Sequence, residues 1–191
     1  LEKKLKKFKN KNFLLSLMLV NNENGIIQPI KKISKLVHKY GGLMHCDAAQ
    51  AIGKIDINFK ELELDAISLS SHKFGGPIGV SGLIVKNKIK FRNFLAGGEQ
   101  EYSIMSGSSN FLLIPAFAKA LEFTKSEKYK NKMKLVLSWQ EWFENKLREV
   151  APNILIFGEK ASRLTNVTHF CIPAIQSENI IFSMDIDNII I

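Results

Sequence analysis

The chain has 191 residues, 46% hydrophobic and 24% charged, a globular composition that excludes a disordered or fibrous protein. Its formal charge of +9 is carried almost wholly by lysine, with only Arg92, Arg148 and Arg163 as arginines, so a solvated basic face is favoured over a nucleic-acid site. Apolar runs fall short of the ~20 residues that cross a bilayer, no leader pattern opens the chain, and Cys46 and Cys171 form neither a disulfide framework nor a CxxC metal pair; a cytoplasmic protein with no membrane segment, no nucleic-acid partner and no metal is expected.

The lysine-rich opening, residues 1–12, reads as the exposed end of a helix. Residues 13–20 form a continuous apolar run, which predicts a strand buried on both faces. Polar residues 21–25 predict a turn. After Pro29, apolar Ile30, Ile33, Leu36, Val37 and Tyr40 recur at helical spacing, and Gly41-Gly42 marks the helix end. Short strands are predicted at residues 43–46 and 65–70. Ser71-His72-Lys73 and the loop Gly75-Gly76-Pro77-Ile78-Gly79 follow, then a further strand at 82–86. Residues 111–150 read as long helical material interrupted near Ser126-Glu127; strands are expected at 153–157, 166–172 and within 180–191.

Strand, helix and strand in this order predict a mostly parallel α/β sheet, and such sheets gather ligands at the carboxyl ends of their strands. Three polar clusters fall at those ends: Asn21-Asn22-Glu23, Asp47 with Gln50, and residues 70–73. An amine, a carboxylate, a polar amide and a hydroxyl–imidazole pair are the groups that pyridoxal phosphate needs, for its aldehyde, its pyridine nitrogen, its phenolic oxygen and its phosphate. Lys73, Asp47, Gln50, and Ser70 with His72 are the candidates. Bland alternatives stand beside them: Asp47 as a helix cap, Asn22 as a turn residue, His72 as a loop histidine. His38 reads as a surface residue, His45 and Cys46 as strand packing, and His169 is assigned nothing.

Asn21-Asn22-Glu23-Asn24-Gly25 with Gln28-Pro29, His45-Cys46-Asp47-Ala48-Ala49-Gln50, Ser68-Leu69-Ser70-Ser71-His72-Lys73 with Gly75-Gly76-Pro77, and Gly97-Gly98-Glu99-Gln100-Glu101 with Ser106-Gly107-Ser108 stand in one order. Together they resemble the consecutive motifs of the NifS-like cysteine desulfurases, pyridoxal-phosphate enzymes of the class V aminotransferase group. The resemblance is close over residues 20–121 and weak beyond. It implies an aminotransferase-type large domain over residues 1–122, a mostly parallel sheet flanked by helices. Part of a smaller α+β domain, with its linking helix, follows over 123–191.

Residue by residue, the resemblance implies Lys73 as the cofactor-binding and catalytic lysine, with His72 also catalytic. Asp47 would face the pyridine nitrogen and Asn22 and Gln50 the phenolic oxygen. Ser70 and His72 would bind phosphate, and Ser108, where the family usually has threonine, would reach the phosphate of a second subunit. It further implies L-cysteine as substrate, a homodimer, and an iron–sulfur scaffold or other sulfur acceptor as partner. Met105 stands where the family usually has arginine, and a thioether cannot replace a guanidinium. The chain opens on Leu1 and stops within Ile189-Ile190-Ile191. The expectation is therefore a fragment lacking the N-terminal part and the loop of the persulfide-forming cysteine, inactive alone. Competing expectations are a non-catalytic split-gene or degraded remnant, and another class V aminotransferase or a selenocysteine lyase.

Overall fold

The computed structural model describes residues 1–9, 11–90, 96–101 and 104–190; Arg92 and Ile191 lie outside the described residues. The chain divides into two units, residues 1–20 with 28–130, and residues 21–27 with 131–191.

In the first unit, a short helix α1 (Glu2–Leu5) precedes strand β1 (Leu14–Met18). Helix α2 (Ile30–Lys39) leads to β2 (Leu43–Asp47), β3 (Ala66–Ser70) and β4 (Ser81–Val85). The four strands form one sheet in chain order. β1 and β2 run parallel with Leu14 opposite Leu43, β2 and β3 run parallel with Asp47 opposite Ser68, and β4 returns antiparallel with Ser81 opposite Ser70. The parallel character predicted from the order of elements thus holds for three strands. The fourth reverses because only residues 71–80, a 3₁₀ turn and a glycine-rich loop, separate it from β3, too short for a parallel crossover.

Helix α2 begins directly after Pro29, whose missing N–H costs nothing at a helix start. It ends where Gly41, at φ 79°, turns the chain and the Gly41 and Gly42 amides donate to His38 and Val37 carbonyls. Its inward face buries Ile30, Ser34 and Val37, and Ser34 Oγ donates to the Glu63 carbonyl at 2.7 Å. Each large aliphatic side chain so buried contributes about 1.5–3 kcal/mol. Met44, Cys46, Ala48, Ala51, Leu64 and Ile67 complete this core.

Strand β1 departs from expectation. It is the edge strand of the sheet, not a strand covered on both faces, and Leu14 is 60% exposed. An apolar run fixes the strand but not its place in the sheet order. Further along, β5 (Glu99–Gln100) pairs with β6 (Met105–Ser106), and helix α3 (Leu113–Thr124) follows.

Helix α4 (Glu127–Val150) starts after the break expected near Ser126, and its residues from 131 onward belong to the second unit. There β7 (Leu155–Ile156) pairs antiparallel with β8 (Phe170–Cys171). The segment 21–27 joins this unit through the Ile27 amide on the Ser162 carbonyl and the Leu164 amide on the Gly25 carbonyl. Glu144, buried on α4, accepts from Arg163 at 2.7 Å and from Thr168 at 2.9 Å, tying the helix to the strand-forming segment. The strand expected within 180–191 is instead helix α5 (Ser177–Ile186), with Phe182 69% exposed. With no neighbouring strand bonded to it among the described residues, the segment satisfies its backbone groups locally, as a helix does.

Candidate functional site

Because β2 and β3 are parallel, their carboxyl ends lie side by side at one edge of the sheet. β2 ends on Asp47, half-buried, whose Oδ1 accepts the Ala49 amide at 2.9 Å; among the described residues no hydrogen bond is given to Oδ2. The Asp47 carbonyl accepts the Leu19 amide at 2.8 Å, and the Ala48 amide donates to the Ser68 carbonyl at 3.0 Å. The backbone at Asp47 is therefore fixed on both sides, and the Ala49 amide orients its carboxylate. A cap-like bond to Ala49, of the kind the alternative reading named, occupies one oxygen and leaves the other available.

β3 ends on Ser70 and turns at once into a 3₁₀ turn, Ser71–Phe74. The turn buries Ser71 and Phe74 and leaves His72 and Lys73 exposed. Gly75, at φ 88°, terminates it in the left-handed region that glycine tolerates without strain. Gly76 closes it: its amide donates to the Ser71 carbonyl at 3.1 Å, and a Cβ there would collide with Ser71 Oγ. Ser70 Oγ and His72 Nδ1 lie 3.1 Å apart, so hydroxyl and imidazole form a pair at the strand end.

Gln50, half-buried, sits one turn past Asp47, and its Oε1 accepts from Lys54 Nζ at 3.4 Å. Burial first, then the charge of Lys73, hold the Lys54 ammonium below its ordinary range. Asp47, Gln50, Ser70, His72 and Lys73 are thus gathered at adjoining strand ends of one unit. Asn22 is not among them: it is exposed in the segment 21–27 of the other unit, in a turn held by Asn21 Oδ1 on the Glu23 and Asn24 amides, both at 3.0 Å. Ser108 lies exposed just past β6, after Gly107. Met105, on β6, is also exposed.

Outside this group, one histidine departs from its sequence reading. His38, read as a surface residue, places Nε2 2.6 Å from Oδ2 of Asp65, which is only 2% exposed. The same carboxylate accepts the Met44 amide at 2.9 Å and Lys86 Nζ at 2.9 Å. Burial pushes Asp65 up, but the Met44 amide, His38 and Lys86 together outweigh it and hold the carboxyl below its ordinary range. His169, assigned nothing, packs its ring 4.8 Å from Phe157, and its Nδ1 is buried with no partner among the described residues. Cys46 is buried as expected; burial first, then the Asp47 charge, push its thiol up to about 12. Lys54 is the site residue that sequence reasoning missed, although its position four residues after Gln50 was the available signal.

Two hollows lie elsewhere. One of about 370 Å³ is lined by Lys31, Asp56 and Glu61, and one of about 300 Å³ by Trp139, Gln140 and Thr168. Neither contains Asp47 or Lys73. Among the described residues no helix is long and apolar enough to cross a membrane.

Compared with known proteins, residues 1–191 match the family model described as aminotransferase class-V. A cysteine desulfurase of Sinorhizobium fredii is 34% identical over 172 residues, covering 90% of this chain and 44% of that protein. A cysteine desulfurase IscS of Dictyoglomus turgidum is 32% identical over 184 residues, covering 96% of this chain and 46% of that protein. Among solved structures, a NifS-like protein from Rickettsia africae superposes with a TM-score of 0.92 at 33% identity, over 98% of this chain and 52% of that one. The chain spans about half the length of the relatives it matches.

Proposed function

Since the chain belongs to the class V aminotransferase family, we propose that it forms the lysine-bearing part of a pyridoxal-phosphate-dependent cysteine desulfurase. The observation that carries this reading is the placement of Asp47 and Lys73 at the carboxyl ends of neighbouring parallel strands, β2 and β3. The residues fit the cofactor in kind. A fixed carboxylate keeps one oxygen open, an exposed primary amine follows the next strand, and a hydroxyl–imidazole pair stands beside it.

When bound, pyridoxal phosphate supplies an electron sink for charge developing at the substrate Cα. Asp47 Oδ2 would hold a proton at the pyridine nitrogen, which makes the sink effective. Lys73 Nζ would anchor the cofactor and move the Cα proton of the substrate. Ser70 Oγ and His72 would donate to phosphate, and Gln50 to the phenolic oxygen. Ser108 would reach the phosphate of a second subunit in a homodimer. The substrate in this reading is L-cysteine: an acceptor cysteine thiolate attacks its sulfur, the substrate's C–S bond breaks, the sulfur stays on the acceptor as a persulfide for iron–sulfur assembly or thiolation, and protonation of the carbon left behind gives alanine. Cys46 is not the acceptor: its buried thiol, pushed up to about 12, carries almost no thiolate at neutral pH. A cytoplasmic setting suits this chemistry.

The test is a visible spectrum of the purified chain with pyridoxal phosphate. A yellow absorption band retained after dialysis and lost in Lys73→Ala is expected. A band that persists in that variant, or that never forms, overturns the assignment of Lys73.

A further inference from the structure

We propose that the bare face of the four-stranded sheet is a docking surface for a second polypeptide, the complementary part of the class V fold that residues 1–191 do not supply. This inference rests on the reading of the chain as one part of a larger enzyme, and names the partner that completes the same site.

Register decides which side chains share a face. Leu14 stands opposite Leu43, Ser16 opposite His45, and Ser68 lies between Asp47 on one side and Leu83 on the other. Alternate residues of a strand point the same way, so Leu14, Ser16, Leu43, His45, Asp47 and Leu83 lie on one side of the sheet. Met44, Cys46, Ile67 and Leu69 point to the other side, where α2 packs, and are buried. The first side is bare: Leu14 is 60%, Leu43 38% and Leu83 50% exposed. Parallel sheets are covered on both faces, and their strands read as unbroken apolar runs. Residues 13–20 are such a run. The sequence of β1 therefore suits a covered strand, and this chain does not provide the cover. Among the described residues no further strand bonds to the outer edge of β1 or of β4 either.

The chemistry of the face describes its occupant. Ser16 Oγ and His45 Nδ1 lie 2.7 Å apart amid the exposed leucines, so each satisfies the other when water is removed. No hydrogen bond reaches His45 Nε2 among the described residues. The covering layer is thus apolar, with one polar group for that nitrogen. The fold has a source for it. The NifS-like protein from Rickettsia africae superposes on 98% of this chain but on only 52% of its own length, so nearly as much polypeptide again belongs to that protein. A second copy of this chain fits worse. Stacked face to face, it would bury the Asp47 carboxylate and the Ser70 hydroxyl, which share this side, against another sheet. The cofactor reading needs both open.

The tagged full chain is co-expressed with the part of the Rickettsia africae relative that lies outside the matched stretch, so neither has to fold alone. Capture of the chain is expected to retain that polypeptide in equal amount. Hydroxyl-radical labelling of Leu14, Leu43 and Leu83, read by mass spectrometry, should fall several-fold in the complex, while Leu36 on α2 keeps its label. Leu14→Asp combined with Leu83→Asp changes side chains already exposed to water in the chain alone. It should leave the melt unchanged and cut retention by about tenfold or more, as burying two carboxylates in an apolar contact requires. No retained polypeptide, retention with the three leucines still labelled, or retention untouched by the double variant overturns the proposal. So does protection of Leu14 and Leu83 that grows with the concentration of the chain alone, which makes a second copy the occupant. Should the double variant fail to fold, the labelling pattern, which needs no variant, decides. Pyridoxal phosphate is left out throughout, so a missing yellow band with the complex intact counts against Lys73 alone.

Discussion

Asp65 and Asp47 stand at opposite ends of two neighbouring parallel strands and do different work. Asp65 is buried at the amino end of β3 and answers the Met44 amide, His38 and Lys86 at once, joining α2, β2 and β4 around one carboxylate. Removing it in Asp65→Ala strands its partners and is expected to cost about 3–5 kcal/mol, read as a lowered urea midpoint. Its carboxyl lies below the ordinary value in the folded chain. Its contribution is therefore complete above pH ~3.9 and disappears as pH falls through the depressed value. The acid limb of a stability–pH curve should flatten in the variant, and an unaltered limb would remove Asp65 from this role. Nothing in the sequence announces the cluster, since its members come from positions far apart and each looks ordinary alone. Asp47, Gln50, Ser70, His72 and Lys73 were legible for the opposite reason: each belongs to a short contiguous pattern at a strand end.

The 3₁₀ turn between β3 and β4 is the element on which the site depends. It is short, so its geometry rests on the Gly75 reversal and on the absence of a side chain at Gly76. Gly76→Ala would drive a methyl into Ser71 and is expected to destabilise the chain by about 1–3 kcal/mol. It should also weaken retention of pyridoxal phosphate by displacing Lys73. Paired thermal melts and absorbance titrations check both, and a variant that melts normally and keeps the cofactor equally well would refute the argument. Element types were readable where periodicity or glycine punctuation was strong, as in α2 and the break before α4. They were not readable where a run was apolar without a period: residues 13–20 gave a strand of unforeseen exposure, and 180–191 gave a helix for most of its length. Local composition sets what a segment prefers; neighbours it does not name decide the outcome.

Across the molecule, large apolar side chains remain uncovered in both units. Phe111 and Leu112 before α3, and Trp139 and Trp142 on α4, are all more than half exposed. Surface of this kind is characteristic of faces that meet another chain, and the proposed homodimer is one way to cover it. Sedimentation velocity over a range of concentrations is expected to show association, and a monomer independent of concentration would count against it. Composition foretold a globular protein, but the division into units was only partly foreseeable. The long helical run over residues 111–150 marks a change of character, whereas no pattern hints that residues 21–27 side with the later unit.

That early segment, bonded to residues 162 and 164, has a bearing on how the protein is made. A ribosome releases it long before the stretch that completes its hydrogen bonds exists. Until then the Gly25 carbonyl and the Ile27 amide have only water for company, while β1, β2 and β3 can already pair. The later unit must therefore assemble last and slowly, because contacts distant in sequence carry a large closure entropy. During translation, this stretch is where a chaperone would find its longest opportunity.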